Sequence, residues 1–343
     1  MSTTRGPSMI DVANHSGVSH QTVSRVLNGH KSVTEKTRRK VIKAVEDLGY
    51  RPNLTARALV TGKTATIGVL SHDTTLFGPA STLHSVQSAA RDNGYRTTIY
   101  SLKGEDSDSI ISGISDLINQ GVDGIVIIAP QIRGAKEISN VIGSFPAVLV
   151  ESESSAALPS VNVDQFYGAY ELTRHLISLG HKSIAHISGP KNWYESSRRS
   201  QGFKKALSEN KLETTFIWEG DWSARSGFES TKKIIKNKKI TGIFAGNDAM
   251  ALGALKALSE AGLNVPRDIS LVGFDDLPES EYLTPALTTA KQDFHAVGDQ
   301  ALGILLGLVN NNKVRMHVAI KPEILIRSST AKAKPFTKPL EDS

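Results

Sequence analysis

Apolar residues recur at helical spacing through the first fifty positions, and a different texture then takes over. In the stretch 18–28, Val23, Val26 and Leu27 stand at i, i+3 and i+4, the stripe of an amphipathic helix. Met9, Val12 and Ala13 make a second stripe over 9–16, and Gly17 separates the two. Ser8 with Asp11 spells a capping box for the first helix, and Ser19 is placed to cap the second. Thr34 is placed to cap a third helix over 35–48, with Val41, Ile42, Val45 and Leu48 expected to point inward and Gly49 to stop it. Two short helices joined by a Gly turn, with a third closing a small core, predict a helix-turn-helix head over 8–50.

From Thr64 the pattern becomes strand, helix, strand. Strands are expected over 65–71, 96–101, 124–129 and 147–151, with helices over 80–93, 107–120 and 134–143 between them. After Asp164 the pattern restarts, with strands over 183–189, 215–219, 242–246 and 269–274 and helices over 166–179, 196–210, 225–237 and 249–261. Such alternation predicts parallel sheets covered on both faces, here two doubly wound, Rossmann-like subdomains. A final segment reads as strand-like 287–292, helix 294–309 and strand-like 316–327. Between head and core, Pro52 and Asn53 start a short helix reaching about Leu59, and Gly62 ends it. Alone in water a helix that short is not stable, so 51–62 is expected to be a hinge that forms only when held. Residues 331–343 read as a disordered tail.

Charge sharpens this picture. Residues 1–63 carry 11 Lys and Arg against 4 Asp and Glu, whereas the remainder carries 29 against 30, so the whole positive excess lies in the head. Local positive charge of this kind is the footprint of phosphate binding. On the second helix, His20, Gln21, Ser24, Arg25 and Asn28 fall opposite the apolar stripe, with Thr22 beside them. Arg grips a guanine edge with two bonds, and Gln does the same for adenine. The absence of cysteine excludes disulfides and thiolate metal sites. No run reaches the ~18 apolar residues of a membrane span, and the first residues show no apolar signal region, so a cytoplasmic protein is expected. No Gly-x-Gly-x-x-Gly follows a strand, and neither a Gly-x-Ser-x-Gly elbow nor a phosphate loop is present, which argues against an enzyme.

Ligands of doubly wound folds bind beyond the carboxyl ends of strands. There stand Glu151, Asn247-Asp248, Asp275-Asp276 and Trp222, with Arg199 near the start of its helix after Gly189-Pro190. Neighbouring sugar hydroxyls suit Asp, Asn and Arg, and an indole face suits the C–H face of a sugar ring. The plainer alternative is that Asn247, Asp248 and Asp276 cap helices and Trp222 is core. The first-strand loop, from His72 and Asp73 to Phe77-Gly78-Pro79, is expected to face the same cleft. His72 has no second ligand at metal spacing, so no metal is expected.

Asp11-Val12-Ala13, Gly17-Val18-Ser19, Thr22-Val23-Ser24-Arg25-Val26, Asn28, Thr34, Thr37-Arg38, Gly49-Tyr50, Pro52-Asn53 and Ala56-Arg57-Ala58-Leu59 resemble the head and hinge of the lac repressor/galactose repressor family. In the core, Glu219-Gly220-Asp221-Trp222-Ser223-Ala224, Ser226-Gly227-Phe228, Leu287-Thr288-Thr289 and Lys291-Gln292-Asp293-Phe294 extend the similarity over nearly the whole chain. The resemblance implies a lambda repressor-like head and a core of the periplasmic-binding-protein type I fold. Its two subdomains would be about 63–163 plus 293–321 and about 164–292 plus 322–330. It implies that Asn53, Ala56 and Leu59 of the hinge contact DNA, Leu59 as a minor-groove wedge, and that Arg199, Asn247 and Asp275 hold an effector with Trp222 stacked on it. Glu151 stands where the pattern has Asp, which bears on hydroxyl preference. The implied function is a sequence-specific repressor of a carbohydrate-utilisation operon, released from a palindromic operator by a galactoside-like sugar and needing no cofactor. The alternatives are a corepressor-dependent regulator and a sugar-binding protein that reads no DNA. Without leucine heptads in the tail, a homodimer is expected rather than a tetramer.

Overall fold

The computed structural model describes residues 6–27, 30, 32–50, 62–72, 75–102, 107–128, 135–152, 158–213 and 216–334. The chain divides into two compact units, Met1–Thr64 and Ala65–Ser343. Of the positions singled out above, Asn28, Asn53, Ala56, Leu59 and Asp73, together with most of the hinge and residues 335–343, lie outside the described residues. Residues 331–334, expected in a disordered tail, are instead tied to the core, where Ala331 bonds with Ser270 and the Ala333 N–H donates to the Leu179 carbonyl.

The first unit contains α1 (Met9–Ser16), α2 (His20–Leu27) and α3 (Glu35–Leu48). The Ser8 hydroxyl accepts the Asp11 N–H, and the Asp11 carboxylate accepts the Ser8 N–H at 2.7 Å, which completes the capping box. Gly17, at φ 68°, ends α1 in the left-handed conformation that lets α2 turn away. Val12, Ala13, Val23, Val26, Val41, Ala44 and Tyr50 form the buried core. Ile42, expected inside, is instead 44% exposed, and Ala44 is buried. At 3.6 residues per turn Ile42 lies about 100° around the helix from Val41, outside the stripe that 41, 44, 45 and 48 share.

The second unit runs β1 (Thr66–His72), α4 (Phe77–Asp92), β2 (Arg96–Leu102), α5 (Ser107–Asn119), β3 (Gly124–Ile128), α6 (Ala135–Ile142), β4 (Ala147–Val150) and β5 (Ser160–Val163). It continues through α7 (Gln165–Ser178), β6 (Ile184–Ser188), α8 (Tyr194–Glu209), β7 (Ile217–Glu219), α9 (Ala224–Ile234), β8 (Gly242–Ala245), α10 (Asp248–Glu260) and β9 (Ser270–Val272). It closes with β10 (Thr289–Lys291), α11 (Phe294–Val309), β11 (His317–Ile320) and β12 (Glu323–Leu325). One parallel sheet has the order β11-β5-β4-β3-β1-β2, a second parallel sheet has β7-β6-β8-β9, and β10 pairs antiparallel with β12.

Both parallel sheets are covered on both faces. Ile67, Val69, Val126 and Val148 face α4 and α11, whereas Leu70, Ile125, Ile127 and Leu149 face α5 and α6. In the second sheet Ile187, Ile243 and Leu271 pack with α9 and α10, and Phe244 and Val272 pack with α7 and α8. This is the period-2 alternation of strands buried on both sides. The strand-like run expected over 316–327 is two short strands instead. Lys321-Pro322 interrupts it, because proline has no N–H to give a ladder. β11 therefore joins the first sheet, and β12 pairs with β10. The helix expected from residue 80 begins at Phe77, with Pro79 in its first turn, where a missing N–H costs nothing. Among the described residues no helix is long and apolar enough to cross a membrane.

Candidate functional site

A cleft opens between the two sheets of the second unit. Its polar wall comes from strand ends. Glu151 follows β4, Trp222 follows β7, Asn247 follows β8, Asp275 follows β9 and Gln292 follows β10, and all of them line the cavity. Gln165 opens α7, while Trp193, Glu195 and Arg199 come from the start of α8. Apolar lining comes from Leu76, Phe77, Gly78 and Pro79 at the start of α4 and from Phe294 at the start of α11. Glu151, Trp222 and Asp275 have φ of 51°, 70° and 114°. Non-glycine residues rarely adopt such values, and a cluster of them around one cavity is the signature of backbone constrained for a site.

Arg199 sits at the centre. Its Nε donates to Gln165 Oε1 at 2.8 Å, its Nη1 to the Gly246 carbonyl at 2.5 Å, and its Nη2 to Asp275 Oδ1 at 3.2 Å. Gln292 Nε2 donates to the same Asp275 oxygen at 2.7 Å, and Gln165 Nε2 donates to Gln292 Oε1 at 2.9 Å and to Glu151 Oε2 at 3.0 Å. The other Glu151 oxygen accepts the Val163 N–H at 2.6 Å. The guanidinium lies 3.8 Å from the centre of the Phe274 ring and 5.4 Å from that of Trp222. Arg199 and Asp275 are both buried, and a buried ion pair persists only with such satisfied geometry around it.

Burial pushes the Glu151 carboxyl upward; the bonds from Val163 and Gln165 and the charge of Arg199 pull the other way. Burial also raises Asp275, opposed first by Arg199. Glu195 is raised by burial and then by the charge of Glu151. Its Oε2 is buried and has no hydrogen-bond partner among the described residues, and the same holds for Trp222 Nε1.

Trp222 is both wall and core. It is buried against Ile187, Ala245 and Met250, and a Cβ on Gly189 would stand 2.1 Å from its ring. Only glycine allows that approach. Trp193 meets it edge-on at 5.8 Å. Asn247 has both its amide groups engaged, since Oδ1 accepts the Met250 N–H at 2.9 Å as the α10 cap and Nδ2 donates to the Trp222 carbonyl at 3.1 Å. It thus lines the cavity while holding the Trp222 loop.

The strand-end reading thus converges on one place for Glu151, Arg199, Trp222, Asn247 and Asp275. His72 does not join them: it ends β1 and stays outside the lining, because the chain enters the cavity further on, at 76–79. Asp248 and Asp276 are structural. Asp248 accepts from Ser280, Thr289 and the Leu277 N–H, and Asp276 pairs with Arg327 at 2.7 Å. Sequence reasoning missed Gln165, Trp193 and Glu195 as lining residues, and Gln292 as more than part of a motif. Glu195 carried a usable signal, standing at i−4 from Arg199 on the same helix face. Among the described residues no group of His, Asp and Glu is placed to hold a metal ion.

In the head, His20, Gln21 and Arg25 are exposed, and Thr22 and Ser24 are half-buried. Ser19 caps α2 by accepting the Thr22 N–H at 3.2 Å. Arg38 donates to the carbonyls of Val26 and His30, tying α3 to the end of α2. Lys36, Arg39, Lys40 and Lys43 present a row of exposed cations.

Comparison with known proteins finds a match in each unit. The family described as bacterial regulatory proteins, lacI family, matches residues 8–53, and a periplasmic binding protein-like domain matches residues 173–330. The chain is 34% identical over 326 residues to catabolite control protein A of Priestia megaterium, spanning 93% of this chain and 98% of that protein. The chain belongs to the lacI family of bacterial regulatory proteins. To the lactose operon repressor of Escherichia coli (strain K12) it is 32% identical over 324 residues, 94% of this chain and 90% of that one. Its fold is similar to that of the lac repressor dimer bound to operator and the anti-inducer ONPF, with a TM-score of 0.87, 32% identity, and coverage of 95% of this chain and 100% of that one. As a lacI-family member the chain is a DNA-binding transcriptional regulator with a ligand-binding core, and not an enzyme. The head of three helices and the two-sheet core are the family's two parts.

Proposed function

We propose that this chain is a cytoplasmic, homodimeric repressor of a carbohydrate-utilisation operon that leaves its operator when a sugar fills the cavity. The observation that carries this is the cavity itself. Arg199, Asp275, Glu151 and Asn247 surround a space walled by Trp222 and Trp193, and paired polar groups beside an indole face suit a polyhydroxylated ring. In this reading residues 8–50 read DNA, 51–62 link, and 63–330 bind effector and dimerise. Two heads on a two-fold axis match a palindromic site. Arg25 contacts guanine, Gln21 an adenine or guanine edge, and His20 tunes the choice, with Thr22, Ser24 and Asn28 alongside. Asn53, Ala56 and Leu59 contact the centre of the site, Leu59 as a wedge in the minor groove.

The cavity takes its walls from both sheets, so an occupant that bonds to both favours one arrangement of the subdomains. For induction, the sugar must bind the arrangement that holds operator poorly better than the one that holds it well. The test is selection from randomised duplex DNA at fixed salt, with and without galactosides, glucosides and free monosaccharides. A palindrome released by one sugar supports the reading. A palindrome bound only when a sugar is added makes the chain corepressor-dependent. No selected sequence under any condition overturns the DNA-reading half.

A further inference from the structure

The charge balance of the cavity is uneven. Among its described lining residues, three carboxyl groups, Glu151, Glu195 and Asp275, face a single basic side chain, Arg199. Two of the three are provided for. Glu151 receives the Val163 N–H on one oxygen and Gln165 Nε2 on the other, and Asp275 receives Arg199 and Gln292. Arg199 directs its Nε, Nη1 and Nη2 to Gln165, Gly246 and Asp275. Glu195 is different. It is 8% exposed, and its Oε2 is buried at the cavity wall without a hydrogen-bond partner among the described residues. A buried acceptor left unmade is costly, and a buried unpaired charge more so.

We propose that the effector is an amino sugar, whose protonated amine pairs with Glu195 while its hydroxyls meet Arg199, Asp275 and Asn247. This rests on the sugar-binding reading above and narrows it. An ammonium brings three N–H donors and no acceptor, which complements an acceptor-only carboxylate, and it brings to Glu195 the cationic partner that Arg199, bonded to Asp275, does not supply. A neutral hydroxyl answers the hydrogen bond but brings no charge to favour the ionised form of Glu195. Burial and the neighbouring Glu151 both disfavour the Glu195 carboxylate in the empty cavity, and the charge of a ligand cation opposes both effects. The indole faces of Trp193 and Trp222 at the same wall favour a cation as well as ring C–H groups.

Calorimetric titration of the full chain at pH 7 tests this with D-glucosamine and D-galactosamine, each against its parent hexose and its N-acetyl form. The N-acetyl form keeps the nitrogen substituent and removes its charge. One amine is expected to bind about tenfold or more tightly than both of its neutral partners, the scale of a charge-assisted bond. Glu195→Gln is expected to erase that ratio and Glu195→Asp to restore part of it, with thermal unfolding of both variants confirming that they fold. The wild-type comparison stands even if a variant does not fold. Hexoses that bind as well as their amines, or an amine preference that survives Glu195→Gln, overturn the proposal and leave the sugar reading standing. No binding by any of these sugars overturns the amino-sugar assignment, and the selection experiment with its wider panel then decides separately whether any sugar acts.

Discussion

At the scale of residues, the molecule is defined by buried groups whose protonation is not ordinary. Burial raises Glu151, Glu195 and Asp248, the last to about 7, and lowers His186 to about 4. The signs follow from linkage. A raised carboxyl means the folded protein holds a proton that the unfolded chain has released, so its stability is complete below the ordinary carboxylate range and is lost as pH rises through the folded value. The depressed histidine works the other way. Its contribution is complete above its unfolded value, near 6.5, and is lost as pH falls toward about 4. The two effects oppose each other between about 4 and 6.5, and above that only the carboxyls act. Urea-unfolding midpoints should therefore fall from pH 6.5 to 8, and Asp248→Asn should flatten that fall; a midpoint that climbs over the same range contradicts the assignment. Arg199 supplies a second test on the same axis. Arg199→Met removes the cation among three carboxyls, and breaking a buried pair costs roughly 3–5 kcal/mol. The loss should be larger at pH 8 than at pH 6, where the stranded carboxyls neutralise by taking protons.

At the scale of elements, close helix approach holds the second sheet's cover together. A Cβ on Gly253 of α10 would stand 1.8 Å from the Ala224 carbonyl oxygen of α9, and one on Gly227 of α9 would stand 2.1 Å from the Met250 carbonyl oxygen. These are backbone atoms, so the helices must separate to admit even a methyl group. Gly253→Ala should lower stability by about 1–3 kcal/mol, the range of overpacking, despite the better helix propensity of alanine. Thermal unfolding measures it, and an unchanged Tm would show that the helices part at no cost. Elements also explain what the sequence made legible. Caps and 3.6-residue periodicity marked α1 to α3, because both signals are local. Strand ends were legible from the alternation, and with them Glu151, Trp222, Asn247 and Asp275. Gln165 and Gln292 were not, because a polar residue opening or preceding a helix looks like a solvated cap. Their burial arises only when segments 127 positions apart meet in one bond. The run over 316–327 was legible as strand, but its division between two sheets at Lys321-Pro322 came from the family resemblance, because the alternation within either strand does not announce its partner.

At the scale of the whole molecule, regulation depends on coupling between a DNA-binding head and a ligand-binding core, here with the proposed sugar as the ligand. Tight sugar binding alone releases nothing, since an effector with equal affinity for both arrangements of the core shifts no equilibrium. What matters is the difference in affinity, and allosteric couplings are typically about 1–3 kcal/mol, roughly 5- to 150-fold. Linkage makes that factor reciprocal. If a sugar weakens operator binding by a given ratio, operator must weaken sugar binding by the same ratio, whatever path joins the two sites. The measurement is a closed cycle on the full chain at one salt concentration, because phosphate contacts make the DNA limb salt-dependent. Operator affinity is measured with and without saturating sugar, and sugar affinity with and without saturating operator duplex. For an inducer both ratios should agree and both should show weakening. For a corepressor both should agree and show strengthening. A sugar whose affinity is untouched by operator is a bound ligand but not the effector, and the cavity would then have to be matched with a different molecule before any regulatory role is assigned to it.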